Sequence, residues 1–401
     1  MAGLPHQPRP HSSTTLLIAV IDNKPSIQWL SDYSSFLPLH AKWNRLVGDR
    51  SVFLRHEWFD AAWQWRRCSP DTHPAIICVW QGDVLIGVCP LLTRIEQHAT
   101  VGRRVIEFLA VPDNQVCDII VAPGQSSFAL RAIASELAAR STTWDVMRLA
   151  YLPEGSVAAS SEFARALKSH GLSSRVSRVG SNPYVSLNGN WEKYWATRSR
   201  ALKKTMNLAA NRLNKVGNVR VEWLNCGAES CLPPHAAIDA AIEISAGSWK
   251  RMTGNSLDNP GPQAFIRRLA ELALREGWFS LWLLMVDETP IAAEWQLIFG
   301  DRVHALRSDY LEKHEALSPG THLNGQLLKN LFDRGLQRYL MGPGDNPYKN
   351  RWAEQSEPLF HMDTYSASIR GRLTAIWEVR IRPKLRAWKA KINRKQEGVN
   401  R

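Results

Sequence analysis

Residues 279–299 read FSLWLLMVDETPIAAEWQLIF, and this stretch decides the fold prediction. Two apolar, β-rich runs flank a turn at Asp287–Pro290, which is typical of a β-hairpin. VHALRSDYL at 303–311 predicts a third strand. Ser318-Pro319-Gly320 then starts a helix, and QRYLMG at 337–342 is the next strand. The order of hairpin, strand, helix and strand predicts an α/β domain.

The first half of the chain repeats this order. Residues 75–92, AIICVWQGDVLIGVCPLL, predict a hairpin that turns at Gly82-Asp83. DIIV at 118–121, the pair Pro123-Gly124, a helix and the strand WDVMRLAYL at 144–152 follow. The two Pro-Gly pairs lie 196 residues apart. The repeated order favours two similarly folded lobes over one large sheet.

We therefore predict a mixed α/β (α+β) fold of two tandem lobes, each with a mostly antiparallel sheet flanked by helices. The predicted boundaries are a disordered tail at 1–15, an N-terminal lobe at 16–185, a C-terminal lobe at 186–365 and a basic helical tail at 366–401. The first segment is rich in Pro and His, and the last combines apolar residues at helical spacing with many cations.

The positive charge is concentrated in two segments. The net charge of the 401 residues is +13. Residues 366–401 hold eleven Lys/Arg against two Glu, and residues 192–220 hold eight against one, so the remainder sums to −3. DNA binding is therefore not expected. The segment 191–216 predicts a helix whose basic residues form either a solvated face or a surface for an anionic ligand. The tail predicts two short amphipathic helices that pack on the domain, or contact a membrane surface or another protein.

Several classes of protein are excluded. With 44% hydrophobic and 22% charged residues, the chain is neither disordered throughout nor collagen-like. No apolar run approaches the ~18 residues of a spanning helix. The six cysteines form no CxxC pair and no His cluster has zinc spacing, so reduced thiols in the cytoplasm and no metal are expected. Neither GxxxxGK[ST] nor GxGxxG after a strand occurs, which disfavours nucleotidase and dinucleotide-binding folds.

The strand, Ser318–His322 and the helix that follows predict an anion site. Ser is a good helix N-cap, Pro319 fits the first helical position, and Gly320 allows close approach of a ligand to the backbone. The free N–H groups of a first helical turn suit a pyrophosphate. The alternative is a well-capped helix without a ligand.

Several stretches resemble the CelD-like acetyltransferases, a bacterial branch of the GNAT superfamily first associated with cellulose biosynthesis. The similar stretches are FLRHEWFDAAW (53–63), RSRALKKTMNLAANRLNKVG (198–217), GSWK (247–250), the DETPIAAEWQL hairpin, DYLEKHEALSPGTHL (309–323) and GPGDNPYKNRW (342–352). The resemblance spans roughly residues 30–365, and the two-lobed arrangement is also similar to that of the Fem-type aminoacyl transferases.

The resemblance implies acyl transfer from acetyl-CoA to an amine or hydroxyl, with an amino sugar or polysaccharide precursor as the acceptor class and the cleft between lobes as its site. The GNAT pyrophosphate site maps onto Ser318, Gly320, Thr321 and His322. The sequence departs from the usual Q/R-x-x-G-x-G/A pattern, since it offers only SPGTH. The N-terminal lobe is expected to be degenerate and to bind no CoA.

Acyl transfer needs a base, an oxyanion site and an acid. Glu294 lies in an apolar run, where burial would raise its pKa, although strand alternation also allows it to face solvent. Asp309, at the end of its strand, is the second candidate base. The resemblance implies that Tyr348 is the acid and that Ser248-Trp249 contacts substrate; Tyr348 and Trp249 could instead be packing aromatics.

Other roles stay open. Lys349 and Arg351 could bind phosphate or an acidic substrate, or could be solvated. One alternative function is aminoacyl-tRNA-dependent transfer, in which the basic face at 193–215 contacts tRNA. Another is a non-catalytic component of an envelope-polysaccharide system, located at the periphery of the inner membrane by its tail.

Overall fold

The computed structural model describes residues 25–97, 102–225 and 232–385. The predicted tail at 1–15, two of the six cysteines and the predicted second tail helix beyond residue 385 lie outside these ranges. In the described part of the chain, no helix is long and apolar enough to span a bilayer.

Strands and helices alternate through both halves of the chain. The strands are β1 Ser26–Leu30, β2 His73–Pro74, β3 Ile76–Gln81, β4 Val84–Cys89, β5 Leu91–Glu96, β6 Arg103–Phe108, β7 Ile120–Val121, β8 Val146–Pro153, β9 Ser173–Ser186, β10 Val219–Asn225, β11 Phe279–Val286, β12 Thr289–Phe299, β13 Arg302–Tyr310, β14 Arg338–Leu340 and β15 Gln355–Tyr365. The α-helices are α1 Tyr33–Phe36, α2 His40–Val47, α3 His56–Arg66, α4 Ser126–Ala139, α5 Ser161–Ser169, α6 Trp191–Thr197, α7 Arg200–Leu213, α8 Pro234–Ala246, α9 Pro260–Glu276, α10 Pro319–Phe332, α11 Pro347–Asn350 and α12 Ile369–Ala375. Both predicted hairpins are confirmed as β3–β4 and β11–β12.

Two sheets are formed by the described strands. The smaller has the order β1-β3-β4-β7, and the larger runs β10-β11-β12-β13-β14-β9-β15-β8-β6-β5-β2. Most neighbours are antiparallel, whereas β13–β14 and β6–β8 are parallel pairs joined through α10 and α4. The mixed α/β fold predicted from the sequence is confirmed.

The halves of the chain exchange strands, which the sequence pattern does not reveal. β9, from the first half, pairs with β14 and β15 of the second half. β15 in turn pairs with β8. The larger sheet therefore runs without interruption from one half into the other, and the predicted lobe boundary near residue 186 falls at the end of β9.

The single helix predicted over 191–216 is wrong, because two helices occupy this segment. Arg198 has an extended backbone conformation, with ψ of 149°, and ends α6. Ser199 then caps α7, as its Oγ accepts a hydrogen bond from the Leu202 N–H. The apolar stripe continues across the break because both helices pack on the core formed by α10 and β14.

Candidate active site

A gap opens between two parallel strands of the second half. β13 and β14 pair only from Arg302–Arg338 to His304–Leu340. β13 continues to Tyr310, whereas the chain after β14 turns away at Gly342, which has φ of +81°. The gap holds a cavity of about 610 Å³ lined by β12, β13, β14 and the first turns of α10 and α11. A volume of this size accommodates a small-molecule ligand.

The N-terminus of α10 lies at this cavity. Ser318 is the N-cap residue of α10, as predicted, but it adopts a left-handed conformation with φ of 55° and its side chain makes no capping hydrogen bond. In the described part of the chain, no acceptor pairs with the N–H groups of Gly320 and Thr321. Ser318, Gly320 and Thr321 line the cavity. Two free N–H groups and the positive end of the helix dipole form a potential anion site.

Gly320 is constrained by a neighbouring ring as well as by its position. A Cβ added there would lie 3.3 Å from Cδ1 of Tyr310, so a side chain would press against the cavity wall. His322, predicted as a further phosphate contact, is buried and does not line the cavity. Burial lowers the pKa of its imidazole, and its Nδ1 has no hydrogen-bond partner.

Glu294 lies at the cavity wall and is 1% exposed, so the solvent-facing alternative is wrong. The Tyr339 hydroxyl and Gln296 Nε2 lie 2.6 and 2.7 Å from its Oε1 and donate to it. Loss of hydration raises the pKa of Glu294 to about 7, although hydrogen bonds from Tyr339, Gln296 and Ser308 oppose the rise. A carboxyl group with this pKa exchanges protons near neutral pH.

Tyr339 and Asn324 orient this carboxyl group. Asn324 Oδ1 lies 3.0 Å from the Tyr339 hydroxyl, and its Nδ2 has no partner in this orientation. One hydroxyl hydrogen cannot serve both Glu294 and Asn324. With the Asn324 amide turned by 180°, Nδ2 donates to the hydroxyl while the hydroxyl donates to Glu294. Both residues are fully buried, and neither carries a sequence signal that singles it out.

Asp309, the second predicted base, is engaged by a cation and does not line the cavity. Lys250 Nζ lies 2.7 Å from its Oδ1 and also donates to the Ser308 carbonyl. Asp309 is 3% exposed. Because Lys250 occupies this carboxylate and Asp309 lies outside the cavity lining, Glu294 is the better-placed base.

Three predicted residues, two on α11 and one at its C-terminal end, come together at one wall of the cavity. The Tyr348 hydroxyl donates to the Gly320 carbonyl at 3.3 Å, and burial raises its pKa. Lys349 Nζ donates to the carbonyls of Gly342 and Pro343, and burial lowers its pKa to about 8. The Arg351 guanidinium lies 5.3 Å from the centre of the Tyr348 ring. All three line the cavity.

The two predicted substrate contacts differ from each other. Trp249 lines the cavity and is 53% exposed, so its alternative role as a core residue is wrong. Ser248 is buried, does not line the cavity, and donates from Oγ to the Ser245 carbonyl. Its hydroxyl also accepts from the Lys250 N–H, which starts the 3₁₀ turn at Trp249–Thr253. Ser248 thus holds the turn that presents Trp249 and Lys250.

A loop from the first half closes the base of the gap, a role that no sequence pattern predicted. Gln115 Nε2 donates to the Ala305 carbonyl at 2.9 Å and lies 3.5 Å from the Leu340 carbonyl, so it bridges β13 and β14 where they diverge. Its Oε1 lies 3.0 Å from His304 Nδ1. Asp113, in the same loop, forms a buried ion pair with Arg307 at 2.8 Å. The nearest sequence clue is the polar run PDNQ at 112–115 inside an apolar segment.

One acid and histidine cluster lies away from the cavity. His40, Glu57 and Glu276 each place one potential ligand atom within 4.8 Å of the others. Glu57 Oε1 already accepts from Asn44, and His40 Nε2 lies 2.6 Å from it. The Arg55 guanidinium also lies 3.6 Å from Glu57 Oε2. These contacts suit a buried ion-pair network, and we assign no metal to it.

Comparison with known proteins identifies the fold. A family model described as "Acetyltransferase (GNAT) domain" matches residues 200–350, which contain the gap, α10 and most of the cavity wall. The crystal structure of FemX has 10% sequence identity and a TM-score of 0.51, and the match covers 84% of this chain and 98% of that chain. The overall fold is therefore similar to that of FemX, and residues 200–350 match the GNAT domain model.

Two further solved structures are similar. The C-terminal domain (DUF2156) of a putative lysylphosphatidylglycerol synthetase from Agrobacterium fabrum has 11% identity and a TM-score of 0.50, and covers 85% of this chain and 97% of its own. A tandem GNAT protein from the clavulanic acid biosynthesis pathway has 12% identity and a TM-score of 0.46, with coverages of 86% and 100%. No curated protein sequence matches this chain significantly.

Proposed function

We propose that this protein transfers an acetyl or other acyl group from an acyl-CoA to an amine or hydroxyl acceptor. The observation that carries the proposal is the position of Glu294. Its carboxyl group, with a pKa of about 7, and the free N–H groups of Gly320 and Thr321 line one cavity. A base for the acceptor and an anion site for the donor phosphates therefore lie in a single gap, as acyl transfer from an acyl-CoA requires.

The roles follow from the chemistry of each group. Glu294 accepts a proton from the acceptor ammonium or hydroxyl, so that the neutral nitrogen or the activated oxygen attacks the thioester carbonyl carbon. The carbon–sulfur bond then breaks and the sulfur leaves as a thiolate. Tyr348, a phenol that is protonated at neutral pH, gives its proton to that sulfur and is reprotonated by the proton that the acceptor loses. The acyl group ends on the acceptor.

The phosphates of the acyl donor are assigned to α10. Gly320 and Thr321 offer unpaired N–H groups, and Lys349 and Arg351 add positive charge on the facing wall. The single glycine of the SPGTH segment is sufficient for this geometry, because Pro319 has no N–H and Ser318 supplies the left-handed turn. His322 is not assigned to the donor because it lies outside the lining.

The acceptor is assigned to the side of the gap near Trp249. An aromatic ring that is 53% exposed beside Glu294 and Lys250 suits stacking against a polar, ring-shaped molecule. The resemblance to CelD-like proteins suggests a saccharide or amino sugar. Cytoplasmic acyl-CoA supplies would serve this reaction.

Binding of the acyl donor is the direct test. Acetyl-CoA should raise the melting temperature of the wild-type protein by mass action, with ATP as a phosphate control. Gly320→Asp should abolish the shift, because the carboxylate would repel phosphate and occupy the N-terminus of α10. The matched control is Ser127→Asp, which places the same charge at the second residue of α4 and should leave the shift intact. No shift at millimolar acetyl-CoA, or an equal shift in both variants, would contradict the proposal.

An aminoacyl-tRNA donor is the second candidate, and the position of α7 favours testing it. Arg212 on α7 donates to the Ala316 carbonyl beside the N-terminus of α10, and Arg200 and Lys204 on the same helix are exposed. A tRNA bound along this helix would bind less tightly as salt rises, whereas acetyl-CoA binding should depend on salt much less. Salt-sensitive tRNA binding without a thermal shift from acetyl-CoA would select this candidate.

A further inference from the structure

One face of the helical segment after β15 is held against the rest of the protein. Glu378 forms ion pairs with Arg103 and, at 2.6 Å, with Arg148, and it accepts a hydrogen bond from the Tyr365 hydroxyl. Ser368 caps α12 by accepting from the Gly371 N–H. A side chain at Gly371 would overlap Ser366, so this helix packs closely on the end of β15. The segment is therefore anchored on one side.

Its other face carries an exposed apolar stripe. The members are spaced by four residues and have 80%, 61%, 40%, 40% and 41% of their surface exposed. They are Ile369, Leu373, Trp377, Ile381 and Leu385. A spacing of four drifts around an α-helix by about 40° per step. The stretch Ile376–Ile381 is instead a π-helix, whose wider turn counters this drift and keeps the stripe on one side.

Positive charges accompany the stripe. Between residues 366 and 385 the chain carries five cations against one carboxylate, Glu378, which is turned inward and paired. The cations are Arg370, Arg372, Arg380, Arg382 and Lys384. Six more Lys/Arg follow in the sequence up to residue 401. Arg370 and Arg382 form ion pairs with Asp145 and Glu378 on the anchored side, at 3.4 and 3.8 Å. Arg372, Arg380 and Lys384 are exposed, so the outer part of the segment is both apolar and cationic.

We propose that the helical segment 369–385 binds the surface of an anionic lipid bilayer. Trp, Leu and Ile beside Lys and Arg on one helix suit the headgroup region, where the apolar side chains leave water and the cations meet lipid phosphates. A nucleic acid would pair the cations but leave the apolar stripe in water. A protein surface would need to supply both an apolar groove and a dense negative charge. This inference does not depend on the proposed acyl transfer.

The test is flotation of the full-length protein with lipid vesicles. It should float with phosphatidylcholine vesicles that contain 30% phosphatidylglycerol, and much less with phosphatidylcholine alone. The double variant Leu373→Asp/Trp377→Asp should lower the bound fraction at least about tenfold. Arg380→Glu/Lys384→Glu should lower it by a similar factor, since each lost cation weakens binding about fivefold at low salt. High salt should mimic the charge variant.

The controls separate insertion from nonspecific effects. Val84→Asp and Val179→Asp replace apolar residues that are 63% and 62% exposed elsewhere, and should float like the wild type. Melting temperatures should stay unchanged, because all of these positions are exposed. The proposal is overturned if the wild type does not float, if the double variants float equally, or if charge and salt have no effect. A concentration-dependent dimer lost in Leu373→Asp/Trp377→Asp would also overturn it, as the stripe would then join two copies.

Discussion

Each half of the chain contains one pair of parallel strands, and only one of the two pairs separates to form a gap. In the second half, β13 and β14 pair over three residues and then separate to form the cavity. In the first half, β6 and β8 also pair over three positions, from Val105–Val146 to Glu107–Arg148. There the chain returns to β8, since the Cys117 N–H donates to the Tyr151 carbonyl at 2.9 Å. The first gap is closed where the second stays open.

The loop between these two contacts explains the difference. After β6 the chain leaves the sheet for residues 109–116, and this loop reaches the base of the other gap through Gln115 and Asp113. The first half thus has no open gap of its own, and its loop forms part of the wall of the gap in the second half. That the N-terminal lobe binds no CoA stays a prediction. Variants in the open half and in the closed half test this difference.

Glu294→Gln should have the largest effect. It removes the base while keeping the size of the side chain, so we expect kcat for acyl transfer to fall by about 10²- to 10⁴-fold. In the wild type the rate should rise with pH through about 7, as Glu294 loses its proton. The variant should lose that limb of the pH–rate profile. Glu107→Gln on β6 is the control in the closed half, and its rate should match the wild type.

The same variant also has a stability signature. Burial raises the pKa of Glu294 from 4.5 to about 7, so the folded state holds this proton more tightly than the unfolded chain. The contribution of Glu294 to stability is therefore fully present below pH 4.5 and declines by about 3 kcal/mol as pH rises through 7. Glu294→Gln removes this penalty and should melt at a higher temperature than the wild type at pH 8, with a smaller difference at pH 5. Equal melting curves at pH 8 would contradict the raised pKa of the buried Glu294 carboxyl group.

Asp113→Ala tests whether the ion pair with Arg307 anchors the loop to the open half. The ion pair with Arg307 is buried, at 5% and 1% side-chain exposure, so the variant leaves a buried guanidinium without its carboxylate. We expect a loss of about 3 to 5 kcal/mol in the free energy of unfolding, measured with urea. Asp239→Ala breaks an ion pair of similar length, the exposed pair with Arg267 at 2.7 Å. It should lower the free energy of unfolding by less than about 1 kcal/mol. A similar small cost for both variants would show that the loop is not anchored.

The sequence predicted the elements of the open half better than their assembly. The hairpin at 279–299 and the helix after Ser318 follow from local apolar patterns, which depend on near neighbours in the chain, whereas the same pattern left open whether Glu294 is buried or faces solvent. The exchange of β9 and β15, the break at Arg198 and the bridge made by Gln115 depend on contacts across 150 residues or more, or on a cap that leaves apolar spacing unchanged. Periodicity carries no information about such contacts. The Tyr339–Asn324 pair is closer in sequence, 15 residues apart, but it depends on how α10 packs against β14, which periodicity does not reveal either.

Gln115→Leu should have the smallest effect. It tests whether the loop sets the spacing of β13 and β14 or only packs at the base of the gap. The variant keeps the apolar volume but leaves the Ala305 carbonyl and His304 without their partner, so we expect a loss of about 1 to 3 kcal/mol in stability. If Gln115 fixes the spacing of β13 and β14, the KM for acetyl-CoA should rise by several-fold to about tenfold, while kcat and the pH profile set by Glu294 stay near those of the wild type. Gln64→Leu on α3, a half-buried glutamine far from the gap, should leave both constants unchanged. A loss of stability with no change in KM would mean that the first half supports the open gap without shaping it.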